Sequence, residues 1–171
     1  MKGKIFIYTL ILLGLYSCGE KPYYEAYVEI PEKGWRADSI ITFNVDVKDT
    51  SSEFLIRLNL RNNSNYPYQN IFLFREIRSS RGLEFRDTVE YPIADAYGKW
   101  LGDGLGELKT HKWPFSMKAL HFKKSGKYTF RIQQAMREQV LPGVEDVGLT
   151  IFKASSGEEQ ENGRKEEKER Q

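Results

Sequence analysis

Few side chains in this sequence could do covalent or acid-base chemistry. The chain of 171 residues has two histidines, His111 and His121, and one cysteine, Cys18. The histidines lack the close pairing of a zinc site, and no second thiol stands ready to join them. His111 follows Thr110 on a predicted strand and is expected to be an exposed or capping imidazole rather than a catalytic base. Asp103 in "GDGLG" suggests calcium, but the alternating acidic positions of a calcium loop are missing. Gly102, Gly104 and Gly106 have the spacing of a phosphate cradle without the strand-to-helix unit that gives such a cradle its charge. No catalytic residue and no metal ligand is therefore assigned. The aromatic side chains are better candidates. Tyr97 and Trp100 could stack on sugar rings or fill a partner's pocket; alternatively Trp100 folds inward and plugs an open end of the domain, the preferred reading. Tyr66 and Tyr68, either side of Pro67, pose the same choice between contact and packing, with packing favoured.

The cysteine has a chemistry of its own, set by what precedes it. Lys2 and Lys4 lead into an apolar run from Ile5 to Leu15. The hydrophobic stretch of an export signal needs about 7 to 15 residues, whereas a spanning helix needs about 20. Leu15-Tyr16-Ser17-Cys18 then resembles the lipobox of bacterial lipoproteins, with an aliphatic residue three before the cysteine and a small one directly before it. The tyrosine is a less usual choice. That resemblance implies removal of residues 1–17 and a diacylglycerol on the Cys18 thiol, with the new amino terminus acylated as well. Acyl burial is worth about 0.8 kcal/mol per methylene, so two or three chains anchor firmly where one myristoyl chain does not. The covalent lipid is the only cofactor expected. The competing reading is a buried free thiol packing as a small hydrophobe.

An exported chain with one cysteine forms no internal disulfide, so a core must hold it together. Residues 18–153 suffice for one domain, which at that length buries about two thirds of its unfolded surface. Period-two alternation dominates. Tyr24, Ala26, Val28 and Ile30 share one face, as do Ile41, Phe43, Val45 and Val47, and again Phe54, Ile56, Leu58 and Leu60. Asn70 to Arg78 is apolar on both faces through Ile71, Phe72, Leu73 and Phe74, which places it centrally and buries both sides. Leu83 to Tyr91 should turn Leu83, Phe85, Val89 and Tyr91 inward, and Pro92 suits an edge. Leu108 to Phe115, the "GKYTFRIQQAMR" segment and "VLPGVEDVGLTIFK" complete about eight strands. Between them "ADAYGKWLGDGLGE" is a long glycine-rich loop of the kind usually kept for a purpose, and residues 116–125 give no signal. The expected fold is all-β, an antiparallel β-sandwich with either immunoglobulin-like or jelly-roll strand order. Residues 154–171, rich in Glu, Lys and Arg, should form a disordered tail.

Charge excludes one class of partner. The leader takes two of the 26 basic residues, leaving 24 against 24 acidic ones, so nothing electrostatic favours nucleic acid. Arg57 to Arg86 is locally basic. Its six arginines against Glu76 and Glu84 read mainly as solvated strand faces, with an acidic partner or membrane phosphates as the sharper reading.

The blocks "RNNSNYPYQNIFLF", "DTVEYPIADAYGKWLGDGLGE", "GKYTFRIQQAMR" and "LPGVEDVGLTI" together resemble the GldH family of gliding-motility lipoproteins of the Bacteroidetes, over nearly all of the mature domain. The resemblance implies an outer-membrane lipoprotein required for gliding and linked with the type IX secretion machinery. It implies protein partners in the envelope and no enzymatic activity, and no family site residue carries over. Gly19 after the cysteine fits sorting to the outer membrane, and the lone Glu20 behind it favours a periplasm-facing domain over surface display. Asp38-Ser39-Ile40 and Asp87-Thr88-Val89 match the O-glycosylation triplet of that phylum. A carbohydrate-binding lipoprotein, with Tyr97 and Trp100 as its platform, is the alternative.

Overall fold

A computed structural model describes residues 21–154. Cys18, the leader and the tail beyond Ala154 lie outside the described residues, and the readings placed on them remain expectations. Eleven strands run through the described part: β1 (Tyr24–Glu29), β2 (Trp35–Arg36), β3 (Ile41–Val47), β4 (Glu53–Asn62), β5 (Asn70–Ser79), β6 (Gly82–Pro92), β7 (Lys109–Pro114), β8 (Leu120–His121), β9 (Gly126–Gln134), β10 (Val140–Leu141) and β11 (Val144–Lys153). The eight long ones are the strands that alternation foretells. The two-residue strands β2, β8 and β10 are too short to show any period, and they escape a sequence reading for that reason.

All pairings are antiparallel. Of the two large sheets, one has the order β1-β11-β4-β7, with β8 also on β4, and the other β3-β9-β5-β6; β2 and β10 form a separate two-stranded sheet. Apart from the β5–β6 hairpin, every connection between long strands crosses from one sheet to the other. That winding is a jelly roll. An immunoglobulin-like sandwich keeps several consecutive strands in one sheet, so the two orders left open by pattern are now separated.

The core lies between the sheets and takes the inward set of each strand. Ile41, Phe43, Val45 and Val47 of β3 and Tyr128, Phe130 and Ile132 of β9 line it from one sheet, and Phe54, Ile56, Leu58 and Leu60 of β4 with Val147, Leu149 and Ile151 of β11 from the other. Phe54, Phe122 and Tyr128 join the layers, ring centroids 5.3 and 4.7 Å apart along the chain of contacts.

Three expectations need correction. Strand β5 is central, but Phe72 and Phe74 are 37% and 47% exposed, because no third layer covers the outside of its sheet among the described residues. Leu83 faces solvent because the ladder slips between Ile77 and Arg78, setting Leu83 opposite Arg78 and turning it away from the core. His111 is buried rather than exposed, because the alternation of β7 turns it towards the core.

One glycine needs its missing side chain to close the fold. Gly143 follows Pro142 with φ 77°, and a Cβ there would stand 2.2 Å from the Tyr66 nitrogen. Its carbonyl accepts the Asn63 N–H at 2.9 Å. The "NNSNYPY" turn is thereby seated on the "LPG" turn, two segments far apart in the chain.

Candidate functional site

The open side of the sandwich, between edge strands β6 and β7, is closed by a wall of polar and aromatic side chains. The alternation of β7 sends His111 and Trp113 inward, opposite Leu60 and Leu58. His111 is 3% exposed. Its Nε2 lies 2.9 Å from Asn62 Oδ1, while the Asn62 amide donates to the Asn63 carbonyl. The oxygen is thus the acceptor, and His111 carries its proton on Nε2. The imidazole stacks on Trp113 (5.1 Å, 20°), which stacks on Tyr91 (4.4 Å, 8°). Burial pushes the His111 pKa down to about 4, with the Asp103 charge pulling weakly the other way. Gly102 roofs the ring, since a Cβ there would meet Nε2 at 2.8 Å. A neutral imidazole sealed in this way has no route to a substrate proton, and its role is to bond and stack.

Arg75 ends the wall. Its position shares the inward parity of Ile71, Leu73 and Ile77, and it is 6% exposed. Nε and Nη2 fork onto Asp87 of β6, the residue opposite it in register. Nη1 donates to the Tyr91 hydroxyl at 2.7 Å and to the Phe115 carbonyl. The guanidinium also lies over the Phe115 ring at 4.6 Å. All three nitrogens are satisfied, which is what lets a charge sit inside a core.

The glycine-rich loop straps the wall from outside. Asp95 Oδ1 accepts the N–H groups of Tyr97 and Lys99, and Leu101 donates to the Ile93 carbonyl. Asp103 and Thr110 exchange both backbone bonds, at 2.9 and 2.7 Å. The expected binding residues are parted by this geometry. Tyr97 stands at a turn tip, 97% exposed, whereas Trp100 is half-buried against the core. Asp103 is exposed, and its backbone N–H and carbonyl strap the loop to β7. Tyr66 is buried, its hydroxyl donating to the Asn70 carbonyl at 2.7 Å, and burial drives its pKa well up. Tyr68 packs edge-on against it and donates to Glu138 at 2.6 Å. His121 is exposed, with Nε2 2.7 Å from the Thr50 carbonyl.

Two outward faces carry the remaining chemistry. On the sheet of β1 and β11, Asn59 Nδ2 donates to Thr150 Oγ1 at 2.7 Å and meets the Tyr27 hydroxyl at 3.3 Å. Tyr27 lies flat over Gly148, where a Cβ would come within 2.4 Å of its ring. On the other sheet, Glu76 is encircled by Arg78, Arg86 and Arg131. Desolvation is the largest single influence on Glu76 and raises its pKa. The hydrogen bonds of the three arginines outweigh it together and hold the group at about 2. Half of the arginines between Arg57 and Arg86 are therefore committed to two clusters within this sheet: Arg75 and, around the Glu76 carboxylate, Arg78 and Arg86. Beside the cluster, Phe74, Ile40, Thr88 and Gln133 line a groove of about 600 Å³. In the two glycosylation triplets, Ser39 and Thr88 are both exposed, while Asp87 is turned inward to Arg75. Among the described residues no cluster of His, Cys, Asp or Glu could hold a metal, and no helix is long and apolar enough to cross a membrane.

The model of the GldH lipoprotein family matches residues 22–151. The chain belongs to that family. A relative in Christiangramia forsetii, a gliding motility lipoprotein GldH homolog, is 39% identical over 159 residues, covering 89% of this chain and 95% of its own. The gliding motility lipoprotein GldH of Flavobacterium johnsoniae is 34% identical over 152 residues, covering 85% and 93%. Family membership thus spans the whole jelly roll, wall and groove included. Among solved structures, latent PorU from Porphyromonas gingivalis aligns with 82% of this chain and 14% of its own at 9% identity and a TM-score of 0.32, too distant to support any inference.

Proposed function

We propose that this protein is a non-enzymatic, lipid-anchored component of the gliding apparatus. Acyl chains on Cys18 hold it to the outer membrane with its domain facing the periplasm, and it works by docking other envelope proteins of the motility and type IX secretion machinery. Relatives that align almost end to end are gliding motility lipoproteins by name. The observation that carries the docking mode is the outer face of β5. Phe72 and Phe74 project from the middle of a sheet, beside Ile40 and a ring of arginines that keeps unused donors around Glu76. Large aromatics bounded by guanidinium groups are the usual composition of an interface centre. A stacking platform for sugars would need Trp100 to leave the core, so the glycan reading has little geometric support.

The test is Phe74→Glu in the full chain, expressed in gliding cells. The expected result is normal protein level and lipidation with loss of colony spreading, and loss of the proteins that crosslink to a photoreactive residue at position 72 on the same face. Normal spreading and an unchanged crosslinking pattern would overturn the docking role of this face. Alanine at His121 or Asp103 is expected to leave spreading intact; loss of spreading with a folded protein would point to chemistry.

A further inference from the structure

The two ends of the jelly roll carry opposite charge, and the end nearer the tether is the basic one. Tyr24 at the start of β1 pairs with Ile151 near the end of β11, and Phe54 at the start of β4 with Lys153. In the opposite sheet, Val47 at the end of β3 pairs with Gly126 at the start of β9. The two sheets are pinned together here: the Tyr23 hydroxyl donates to the Asp46 carbonyl at 3.2 Å and accepts the Lys48 N–H at 3.0 Å. This pole therefore collects the β3–β4 loop, the segments around β8 and the β5–β6 hairpin. Lys48, Arg81, Lys118, Lys123, Lys124 and Lys127 are all exposed on it. Its acids are four, Asp46, Asp49, Glu53 and Glu84; Asp49 is engaged by Lys153 and Glu84 by Arg81, which leaves five unpaired lysines against Asp46 and Glu53. Leu83 and Met117, 51% and 75% exposed, stand among these cations. The far pole gathers seven acids, Glu32, Asp38, Asp95, Asp103, Glu107, Glu138 and Glu145, against five cations, Lys33, Arg36, Lys99, Lys109 and Arg137, with Asp38 paired to Arg36.

Chain length fixes which pole meets the bilayer. Four residues separate Cys18 from Tyr23, so the five steps between them reach at most about 18 Å even when fully extended. We propose that the basic pole lies on the anionic phospholipid headgroups of the membrane that holds the protein's own lipid, with Leu83 and Met117 dipping into the headgroup layer. The domain then stands upright, the acidic pole and its loops pointing away, and the groove beside Phe74 is held sideways, open to a partner. Lysines within a Debye length of a negative surface are attracted to it, and screening by salt removes the effect. A basic patch beside exposed apolar tips and a short acyl tether is the composition of an interfacial contact.

This inference rests on the lipid-anchor reading, and the experiment separates the two. Lipidated full-length protein is mixed with vesicles of phosphatidylcholine alone or of phosphatidylcholine with phosphatidylglycerol, and its lysines are labelled with a water-soluble acylating reagent. Flotation with either vesicle in high salt reports the anchor alone. In low salt, phosphatidylglycerol is expected to lower labelling of Lys48, Lys123, Lys124 and Lys127 by about fivefold each, with Lys33 and Lys99 unchanged. High salt should restore it. In a Lys123→Glu, Lys124→Glu, Lys127→Glu variant, Lys48 should lose its protection. Labelling independent of vesicle charge, or equal protection at both poles, overturns the basic-pole contact whether or not the protein floats. Failure to float in high salt overturns the anchor, and headgroup-dependent flotation in low salt would still support the pole.

Discussion

Acidification should weaken the fold first through His111. The folded pKa is about 4 against an ordinary 6.5. Above 6.5 the imidazole is neutral in both states, and its burial beneath Gly102 costs nothing electrostatic. As pH falls from 6.5 towards 4, the unfolded chain takes up a proton that the folded one refuses, so stability declines. The full gap of 2.5 pH units corresponds to about 3 kcal/mol, of which about 2 kcal/mol is lost by pH 5. Against a total of about 5 to 15 kcal/mol for a domain, that is easily measured. Urea unfolding at about pH 7.5 and about pH 5 gives the difference by linear extrapolation. His111→Gln can still donate to Asn62 but cannot titrate, and it should flatten the dependence in this window while lowering stability at neutral pH. The Glu76 contribution falls elsewhere: its pKa is lowered from 4.5 to about 2, so its stabilisation is complete above 4.5 and fades only as pH drops towards 2. Equal slopes in the parent and His111→Gln, or a His111 ring that titrates near 6.5 by NMR, would refute the burial argument.

Gly143→Ala should lower stability by more than about 2 kcal/mol in thermal unfolding, since it combines a positive φ with a Cβ 2.2 Å from the Tyr66 nitrogen. Arg75→Ala leaves Asp87 facing the core edge without its partner and should cost about 3 to 5 kcal/mol. Arg75→Lys should recover little of it, because an ammonium cannot fork onto Asp87 while also reaching Tyr91 and Phe115. Gly148→Ala should dislodge Tyr27 from the sheet, visible as a rise in Tyr27 solvent exposure by chemical labelling, with a smaller loss of stability because the ring lies at the surface.

Much of this architecture is legible in the chain. The inward positions of β3, β4, β9 and β11 follow from alternation alone, because each strand has one wet face and one dry one. Parity also holds information that residue type obscures. His111 has the parity of Trp113 and Phe115, and Arg75 that of Leu73 and Ile77. Reading polar type first sends both outward, whereas parity sends both in, with Asp87 waiting at the inward position opposite Arg75. Phe72 and Phe74 fail in the other direction. Their apolar character implies a covering layer, and only the sheet order reveals that none exists among the described residues. Leu83 is lost to a one-residue slip that no pattern announces. Of the aromatic candidates, Tyr66 is buried and Trp100 is half-buried against the core, and the separation of Tyr97 from Trp100 depends on the Asp95 turn.

The charge segregation belongs to a different level of organisation. The lysines of the basic pole come from the β3–β4 loop, the run after Phe115 and the approach to β9, and along the chain they are interleaved with acidic stretches that sum to near neutrality. A jelly roll sends alternate connections to opposite ends, so lysine-rich connections that are separate in sequence converge at one end while the acidic ones converge at the other. A neutral net charge therefore conceals a dipole directed along the sandwich, and the short span from Cys18 to Tyr23 determines which end of it the membrane meets. If the tether were long, the same charges could not orient the domain. Lengthening it with a flexible Gly/Ser insertion after Lys21 should leave the fold and anchor unchanged while reducing the lysine protection at the basic pole, because the effective concentration of the pole at the surface falls as the tether lengthens.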